Sequence, residues 1–470
     1  MIRIDAVRAL EVLDSRGDPT VRVAVESDGH VGRFTVPSGA STGAHEAHER
    51  RDGGDRYRGR GVREAVAAVE GEIADAVVGR DVSDQRGLDE ALCDLDGTDD
   101  LGRLGANAVL GASGAALHAA SRVAGRPLYE HVAAELAGSG GTAGADAEAG
   151  DDVGSDADDA DAGDGTDAAA PGASGGPGSI PLPMVNVLSG GQHAHGGLEI
   201  QDVLVVPVAA ADYPSALEIV WAVRQSVRDL IVDRGERPLV ADEGGFSPSL
   251  PDATAAFELV REGIEAAGFA PGREVALAVD VAATEFYDAA RGRYELDGGD
   301  AALDAAEMVE RVLGWVDRYP IVSIEDPLAE DDWTAWRDLL DRAPPDLQVL
   351  GDDLLVTNGT RVERAIERGA ANAVLVKPNQ AGTVTRAVDV VATARRSGLN
   401  TVVSARSGET CDATIADLAV GLDAGWIKIG SLARSERLAK YNRLLEIDAG
   451  TALPLAPLDP PAGPAGTGGG

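Results

Sequence analysis

The stretch Ala373-Val374-Leu375-Val376-Lys377-Pro378 carries the pattern from which the fold can be inferred. Four apolar residues end at a lysine and a proline follows, which is typical of a buried strand that ends in a loop. Lys377 is one of only three lysines in the chain, with Lys428 and Lys440. Because a buried lysine can shift its pKa and act as a base, whereas arginine cannot, Lys377 is a candidate catalytic base. A lysine that pairs with a carboxylate at a strand end explains this stretch alone equally well.

The same pattern recurs along the second half of the chain, where short apolar runs end at polar or charged residues. Helical patterns fill the gaps between the runs, and strands that alternate with helices predict a parallel sheet. Polar residues repeated at the carboxyl ends of such strands are typical of a (β/α)8 barrel. Three carboxylates beside a lysine would form an oxygen-ligand site for a hard divalent cation, with a base next to it. The runs end at Asp280, Glu325, Asp352, Lys377, Arg406 and Lys428.

The composition indicates a large, strongly acidic globular protein. The 470 residues are enough for two domains, and 44% of them are hydrophobic. There are 79 acidic against 41 basic residues, a net charge of −38. Such an excess indicates either disorder or a folded protein adapted to high salt, where self-repulsion is screened, and the apolar runs favour the second. The same charge disfavours nucleic acids and anionic membranes as partners.

The cysteines, the N-terminal residues and the apolar stretches indicate where in the cell the protein is expected. Cys93 and Cys411 do not form a disulfide framework and are expected to be reduced thiols. The start of the chain, residues 1–5, lacks the apolar core of a signal peptide, and no stretch is long and apolar enough to span a bilayer. We therefore expect a cytoplasmic protein.

The first part of the chain predicts an α+β cap domain over residues 1–136. Residues 2–36 alternate in polarity and predict a short antiparallel meander. The small residues of 36–43 form either a flexible connector or a mobile lid over the active site. Helical patterns follow at 61–78, 87–95, 105–124 and 127–137.

The remaining boundaries follow from composition. Residues 137–179 consist almost entirely of Gly, Ala, Ser, Thr, Asp and Glu, which predicts a disordered acidic linker. The barrel domain is expected over 180–450, and the Pro/Gly-rich segment 451–470 is expected to be a loose tail.

Two further stretches of the second domain contain candidate site residues. The Gly-rich loop 186–197 contains His193 and does not fit a phosphate-binding P-loop; histidines in such a loop are more often surface residues or substrate contacts than metal ligands. Glu243 follows the apolar run 239–241, and the glycines after it allow the backbone to approach a ligand closely.

Taken in order, these motifs resemble the enolase family, the phosphopyruvate hydratases of glycolysis. The resemblance extends from Ile4 to Ile447, apart from 137–179, which falls where the family joins its two domains. The acidic composition resembles that of haloarchaeal members. The motifs are Asp14-Ser15-Arg16-Gly17, Pro37 to Gly43, Leu104 to Ala108, Asp242 to Gly245, Glu325-Asp326-Pro327, Arg406 to Thr410 and Ala433 to Lys440.

The resemblance implies a homodimeric cytoplasmic enzyme that dehydrates 2-phosphoglycerate reversibly, with two Mg²⁺ ions per active site. By position, Lys377 would take the proton from C2, and Glu243 would help to expel the C3 hydroxyl. A proton next to a carboxylate is weakly acidic, so its removal needs metal charge and a lowered lysine pKa. The implied metal ligands are Asp280, Glu325 and Asp352, with Ser41 for the second ion. The implied substrate contacts are Arg406 and Ser407 to the phosphate, Lys428 to the carboxylate, His193 in a closing loop, and Gln201, Asp202, Glu325 and Asp352.

Three residues depart from the family pattern. Ala405 stands where the family usually has His, Asp202 where it has Glu, and Pro378 follows the lysine. These changes are those of a slower enolase or of a paralogue that acts on a related phosphorylated or phosphonate acid. A catalytically inactive binding or structural protein is the third hypothesis, and the survival of the costly buried carboxylates and lysines argues against it.

Overall fold

The computed structural model describes residues 1–39, 43–136, 177–194, 198–296 and 301–461. Ser41, residues 137–176 of the predicted linker and residues 462–470 of the predicted tail lie outside the described residues.

The N-terminal region begins with a three-stranded antiparallel sheet, as the alternating polarity predicts. Its tight turns include Gly17 and Gly29, both with positive φ, a conformation that glycine adopts without steric cost. The strands are β1 (Ile4–Leu13), β2 (Pro19–Ser27) and β3 (His30–Thr35).

Five helices complete this region, and the longest covers the sheet. The small residues of α4 are explained by this contact: a Cβ added at Gly111 would lie 2.5 Å from Val23, and one at Gly114 would lie 2.6 Å from the Phe34 ring. Among the described residues, no helix is long and apolar enough to cross a membrane. The helices are α1 (Arg63–Ala68), α2 (Ala74–Val77), α3 (Gln85–Asp96), α4 (Ala106–Val123) and α5 (Leu128–Glu135).

The second region contains a closed eight-stranded barrel, in the order β4-β5-β6-β10-β11-β12-β13-β14, which confirms the predicted architecture. Three further short strands, β7 to β9, form a separate antiparallel sheet. The strands are β4 (Leu182–Ser189), β5 (Asp202–Val206), β6 (Ala276–Asp280), β7 (Tyr287–Asp288), β8 (Arg293–Leu296), β9 (Ala301–Leu303), β10 (Ile321–Glu325), β11 (Gln348–Gly351), β12 (Ala373–Val376), β13 (Asn400–Ser404) and β14 (Gly425–Gly430).

One barrel strand differs from the all-parallel sheet that the strand-helix alternation predicts. β5 runs antiparallel to both β4 and β6. Residues 190–201 join β4 to β5, and a connection of this length is at the lower limit for a parallel crossover, which usually contains a helix. The start of β5 therefore lies at the edge where the parallel strands end. This direction places Asp202 opposite Asp280.

Most of the barrel helices begin at a side-chain cap. Asp212, Asp252, Asp304 and Asp332 each accept a backbone N–H from the first turn, where a negative charge also favours the helix dipole. Part of the acidic excess is thus used to start helices. The helices are α6 (Tyr213–Asp233), α7 (Ala253–Ala266), α8 (Ala305–Arg318), α9 (Trp333–Arg342), α10 (Gly359–Arg368), α11 (Pro378–Ala381), α12 (Val384–Arg396), α13 (Thr414–Gly421) and α14 (Ser435–Gly450).

Candidate active site

The carboxyl ends of the barrel strands bring most of the sequence-predicted residues to one mouth. β6 ends at Asp280 and β10 at Glu325, and the two residues are register partners. Asp352 follows β11 directly, and Lys377 follows β12. One small pocket is lined by His193, Gln201, Glu243, Asp280, Lys377, Ser404, Ala405, Arg406, Ser407 and Lys428.

Lys428 joins two of the predicted metal ligands. Its Nζ lies 2.7 Å from Asp280 Oδ2 and 2.6 Å from Glu325 Oε2, and all three side chains are buried. Burial raises the pKa of Glu325 well above its usual value, and the neighbouring Asp280 adds to this effect. Burial opposes the charge of Lys428, but the two carboxylates raise its pKa well above the usual range. The ammonium group thus balances the paired carboxylates.

Lys377 donates a hydrogen bond to Oδ2 of Asp352. Burial lowers the pKa of Lys377, but the Asp352 carboxylate more than offsets this effect, so the net shift is upward. Conversely, burial raises the pKa of Asp352, and the contact with Lys377 lowers it below its usual value. The upward shift arises because the nearest charge to the ammonium group is a carboxylate, whereas removal of the substrate proton needs a lowered lysine pKa.

His193 and Asp202 form a second buried charged group beside Glu243. His193 Nδ1 lies 3.0 Å from Asp202 Oδ2, and its Nε2 lies 3.8 Å from Glu243 Oε1. Burial lowers the pKa of His193, but the two carboxylates raise it to about 9. Asp202 also accepts hydrogen bonds from Asn186 Nδ2 at 2.5 Å and Ser189 Oγ at 2.9 Å. Both carboxylate oxygens of Asp202, which is shorter than the glutamate usual in the family, therefore have hydrogen-bond partners.

Two groups of buried oxygen atoms are candidate ligands for a metal ion. Oxygens of Asp326, Asp352 and Asp353 lie within 4.8 Å of one another, but Asp326 accepts the backbone N–H groups of both other residues and thus fixes their loop. In the part of the chain that the structure describes, Glu325 Oε1 and Gln201 Oε1 are buried and accept no hydrogen bond. Buried oxygens in need of a partner, beside carboxylates, suit a hard divalent cation such as Mg²⁺.

The loop that carries Arg406 and Ser407 is held from behind by buried cations. Arg437 donates to the backbone oxygens of Arg406 at 2.7 Å and Ser407 at 2.6 Å. Lys440 donates to Glu409 Oε2 and to the Thr410 oxygen, both at 2.6 Å. The sequence reasoning assigned no role to Arg437 or Lys440, although the rarity of lysine was a usable signal for the second. A compact ammonium group directs its three donors out of a common plane, whereas a guanidinium directs its donors within one plane.

The structure accounts for Pro378 locally and places Ala405 in the pocket. Pro378 is the first residue of α11, a position that needs no N–H donor, and Lys377 before it is extended at φ −123° and ψ 106°. The proline is therefore compatible with the placement of Lys377. Ala405 lines the pocket directly and is buried.

Comparison with known proteins identifies the family of this chain. Residues 4–132 match the family model described as the N-terminal domain of enolase, and residues 178–453 match the model of the enolase C-terminal TIM barrel domain. A protein named enolase from Rubrobacter xylanophilus is 46% identical over 450 residues, which cover 95% of each chain. With both domains matched in order and the acidic and basic side chains gathered at the barrel mouth, the chain belongs to the enolase family.

Proposed function

We propose that this protein is a phosphopyruvate hydratase, which removes water reversibly from 2-phosphoglycerate to give phosphoenolpyruvate. The observation that supports the proposal best is the meeting of Lys377, Lys428 and Glu243 in one pocket with the loop of Arg406 and Ser407. A base, an acid partner and cations for a carboxylate and a phosphate are the groups that this reaction needs.

Lys377 is the proposed base for the C2 proton, and its contact with Asp352 controls whether its amine is free to accept that proton. The ammonium form is favoured as long as Asp352 is its partner. Lys377 can accept a proton only when that carboxylate is engaged elsewhere, because the contact stabilises the charged form. The Asp352 side chain therefore decides the protonation state of the proposed base.

The pair of His193 and Glu243 is the proposed source of the proton that leaves with the C3 hydroxyl. Burial raises the pKa of Glu243, but His193, Arg437 and the two lysines lower it below the usual value. With the His193 pKa at about 9, the pair holds its proton on the imidazole ring at neutral pH. This places a proton next to Glu243, where the leaving hydroxyl would lie.

Asp280, Glu325 and Asp352 are the proposed holders of magnesium, and the open oxygen of Glu325 supports this assignment. When bound, Mg²⁺ supplies positive charge that stabilises the substrate carboxylate as it becomes an ene-diolate. A second ion held by Ser41 is proposed by family resemblance.

A related acid as the native substrate is the second candidate function. The specific observation in its favour is Ala405, a small buried side chain that lines the pocket where the family usually has a histidine. A substrate with additional bulk near its phosphate or phosphonate group would use that space.

The cellular setting is also a proposal. We infer a cytoplasmic homodimer that tolerates high salt. The proposal of a dimer rests on the resemblance to the enolase family. The net charge of −38 supports adaptation to salt. The proposed domain boundaries remain 1–136 for the cap and 180–450 for the barrel.

The experiment that tests the function is an assay of 2-phosphoglycerate with magnesium at high potassium chloride. Formation of phosphoenolpyruvate is expected, together with exchange of the C2 proton in deuterated water. Absence of both, with turnover of a related phosphonate acid instead, would favour the second candidate.

A further inference from the structure

Arg406, on the barrel, is bound by a carboxylate from the N-terminal region. Glu46 Oε2 accepts a hydrogen bond from Arg406 Nη1 at 2.9 Å, and its Oε1 accepts one from Nη2 at 3.2 Å. The two side chains are only 3% and 8% exposed. Such two-point contacts fix the plane of a guanidinium group, and removal from water strengthens them.

Gln380 ties this carboxylate to the proposed metal site. Its Nε2 donates to Glu46 Oε1 at 3.2 Å and to Asp352 Oδ1 at 2.9 Å. Its Oε1 accepts a hydrogen bond from Thr357 Oγ1 at 2.8 Å, and that hydroxyl accepts the backbone N–H of Lys377 at 2.8 Å. A partly buried chain of hydrogen bonds thus runs from the backbone of the proposed base to the arginine.

We propose that Glu46 is a positioning residue: it holds the Arg406 guanidinium in the orientation that receives the substrate phosphate, at a distance from Asp352 that Gln380 sets. The inference rests on the proposed function, because that function assigns the phosphate to Arg406. A guanidinium carries five N–H donors, and the contact with Glu46 uses one on each of the two terminal nitrogens, so the phosphate is expected to share the guanidinium with Glu46. Without Glu46, the long side chain would have to be ordered by the ligand itself, which weakens binding.

The proposal can be tested against the opposite role for Glu46, because the two roles predict opposite changes in phosphate affinity. If Glu46 were a competing anion that the phosphate must displace, its removal would strengthen phosphate binding. If Glu46 positions Arg406, its removal weakens phosphate binding.

The test measures binding of inorganic phosphate to the full-length protein without magnesium, by calorimetry, and separately KM and kcat for 2-phosphoglycerate. Glu46→Ala is expected to weaken phosphate affinity by about tenfold or more and to raise KM more than it lowers kcat. Glu46→Gln keeps the size and one acceptor, so an intermediate loss is expected. Glu363→Ala is the matched control, since this exposed glutamate lines the same 910 Å³ cavity as Glu46 and should bind phosphate as the wild type does.

Gln380→Met tests the link to Asp352, because methionine fills the space without the amide hydrogen bonds. If Gln380 acts through Glu46, the double variant with Glu46→Ala should lose less phosphate affinity than the product of the two single losses. Circular dichroism and melting temperature check folding, and Glu46→Gln keeps the test valid if Glu46→Ala does not fold.

The outcomes separate this inference from the proposed function. Unchanged or tighter phosphate binding and unchanged KM in both Glu46 variants would overturn the positioning role, even in an active enzyme. A wild type that forms no phosphoenolpyruvate, but loses phosphate affinity on Glu46→Ala, would refute the proposed function and leave the positioning role standing.

Discussion

Lys428 Nζ lies 2.7 Å from Asp280 Oδ2, although β14 and β6 are separated by two other strands of the barrel. The contact therefore crosses the barrel mouth rather than joining neighbours in the sheet. It holds a proposed metal ligand and a proposed substrate contact together in a buried site, where an unpaired charge would be strongly destabilising. The predictions below follow from this concentration of paired charges.

The metal prediction concerns Glu325. Glu325→Gln keeps the size of the side chain but removes the charge that a divalent cation needs. Magnesium affinity, measured by calorimetry, should fall by about a hundredfold or more, since even changes outside the ligand set cost ten- to a hundredfold. The exposed Glu367→Gln variant, on α10, is the control. An unaltered magnesium titration would remove Glu325 from the site.

The base prediction concerns Lys377. Lys377→Ala should reduce exchange of the C2 proton by about 10²- to 10⁴-fold. Lys377→Arg keeps a cation beside Asp352 but cannot serve as a base, so exchange should be lost while melting temperature stays closer to the wild type. Exchange that persists in the arginine variant would show that another group takes the proton.

His193 predicts a pH-dependent contribution to stability. A histidine in the unfolded chain titrates near about 6.5, and Asp202 and Glu243 raise the folded pKa of His193 to about 9. The contribution should be complete below about pH 6.5, decline between about 6.5 and 9, and vanish above; its full size is about 3 kcal/mol.

Chemical denaturation at several pH values measures this contribution. The free energy of unfolding lost in His193→Gln should be larger at pH 6 than at pH 9.5. His30→Gln, at an exposed position, is the matched control. A loss that is the same at both pH values would contradict the raised pKa.

The departures from the family pattern predict opposite effects of two substitutions. Ala405→His restores a polar ring in the pocket and should raise turnover of 2-phosphoglycerate by about tenfold. Asp202→Glu should lower it, because an added methylene displaces the contacts from Asn186, Ser189 and His193. If Ala405→His gives no gain, and a related phosphonate acid is turned over only by the wild type, the second candidate function is preferred.

The acidic surface predicts stabilisation by salt. With a net charge of −38, melting temperature and activity should rise from low salt toward molar potassium chloride, where the Debye length is about 3 Å. Differential scanning calorimetry over a potassium chloride series measures the effect. A melting temperature that does not change with salt would remove the proposed adaptation.

The barrel and its polar strand ends could be predicted from the sequence because both are local patterns. The apolar run 373–376 indicates a buried strand, and this alone places Lys377 at the carboxyl end of that strand. The same logic found Asp280 and Glu325 at strand ends. The enolase family also followed from motifs in order, and the comparisons confirm it.

Contacts between distant parts of the chain could not be predicted in this way, and only the tertiary structure decided them. The contact of Lys428 with Asp280 and the pairing of Glu46 with Arg406 each join residues far apart in the chain. The direction of the Lys377 pKa shift in this arrangement could not be predicted for the same reason. Sequence shows which residues are charged, but the shift depends on which charge lies nearest after folding, and Coulomb energy varies with that distance.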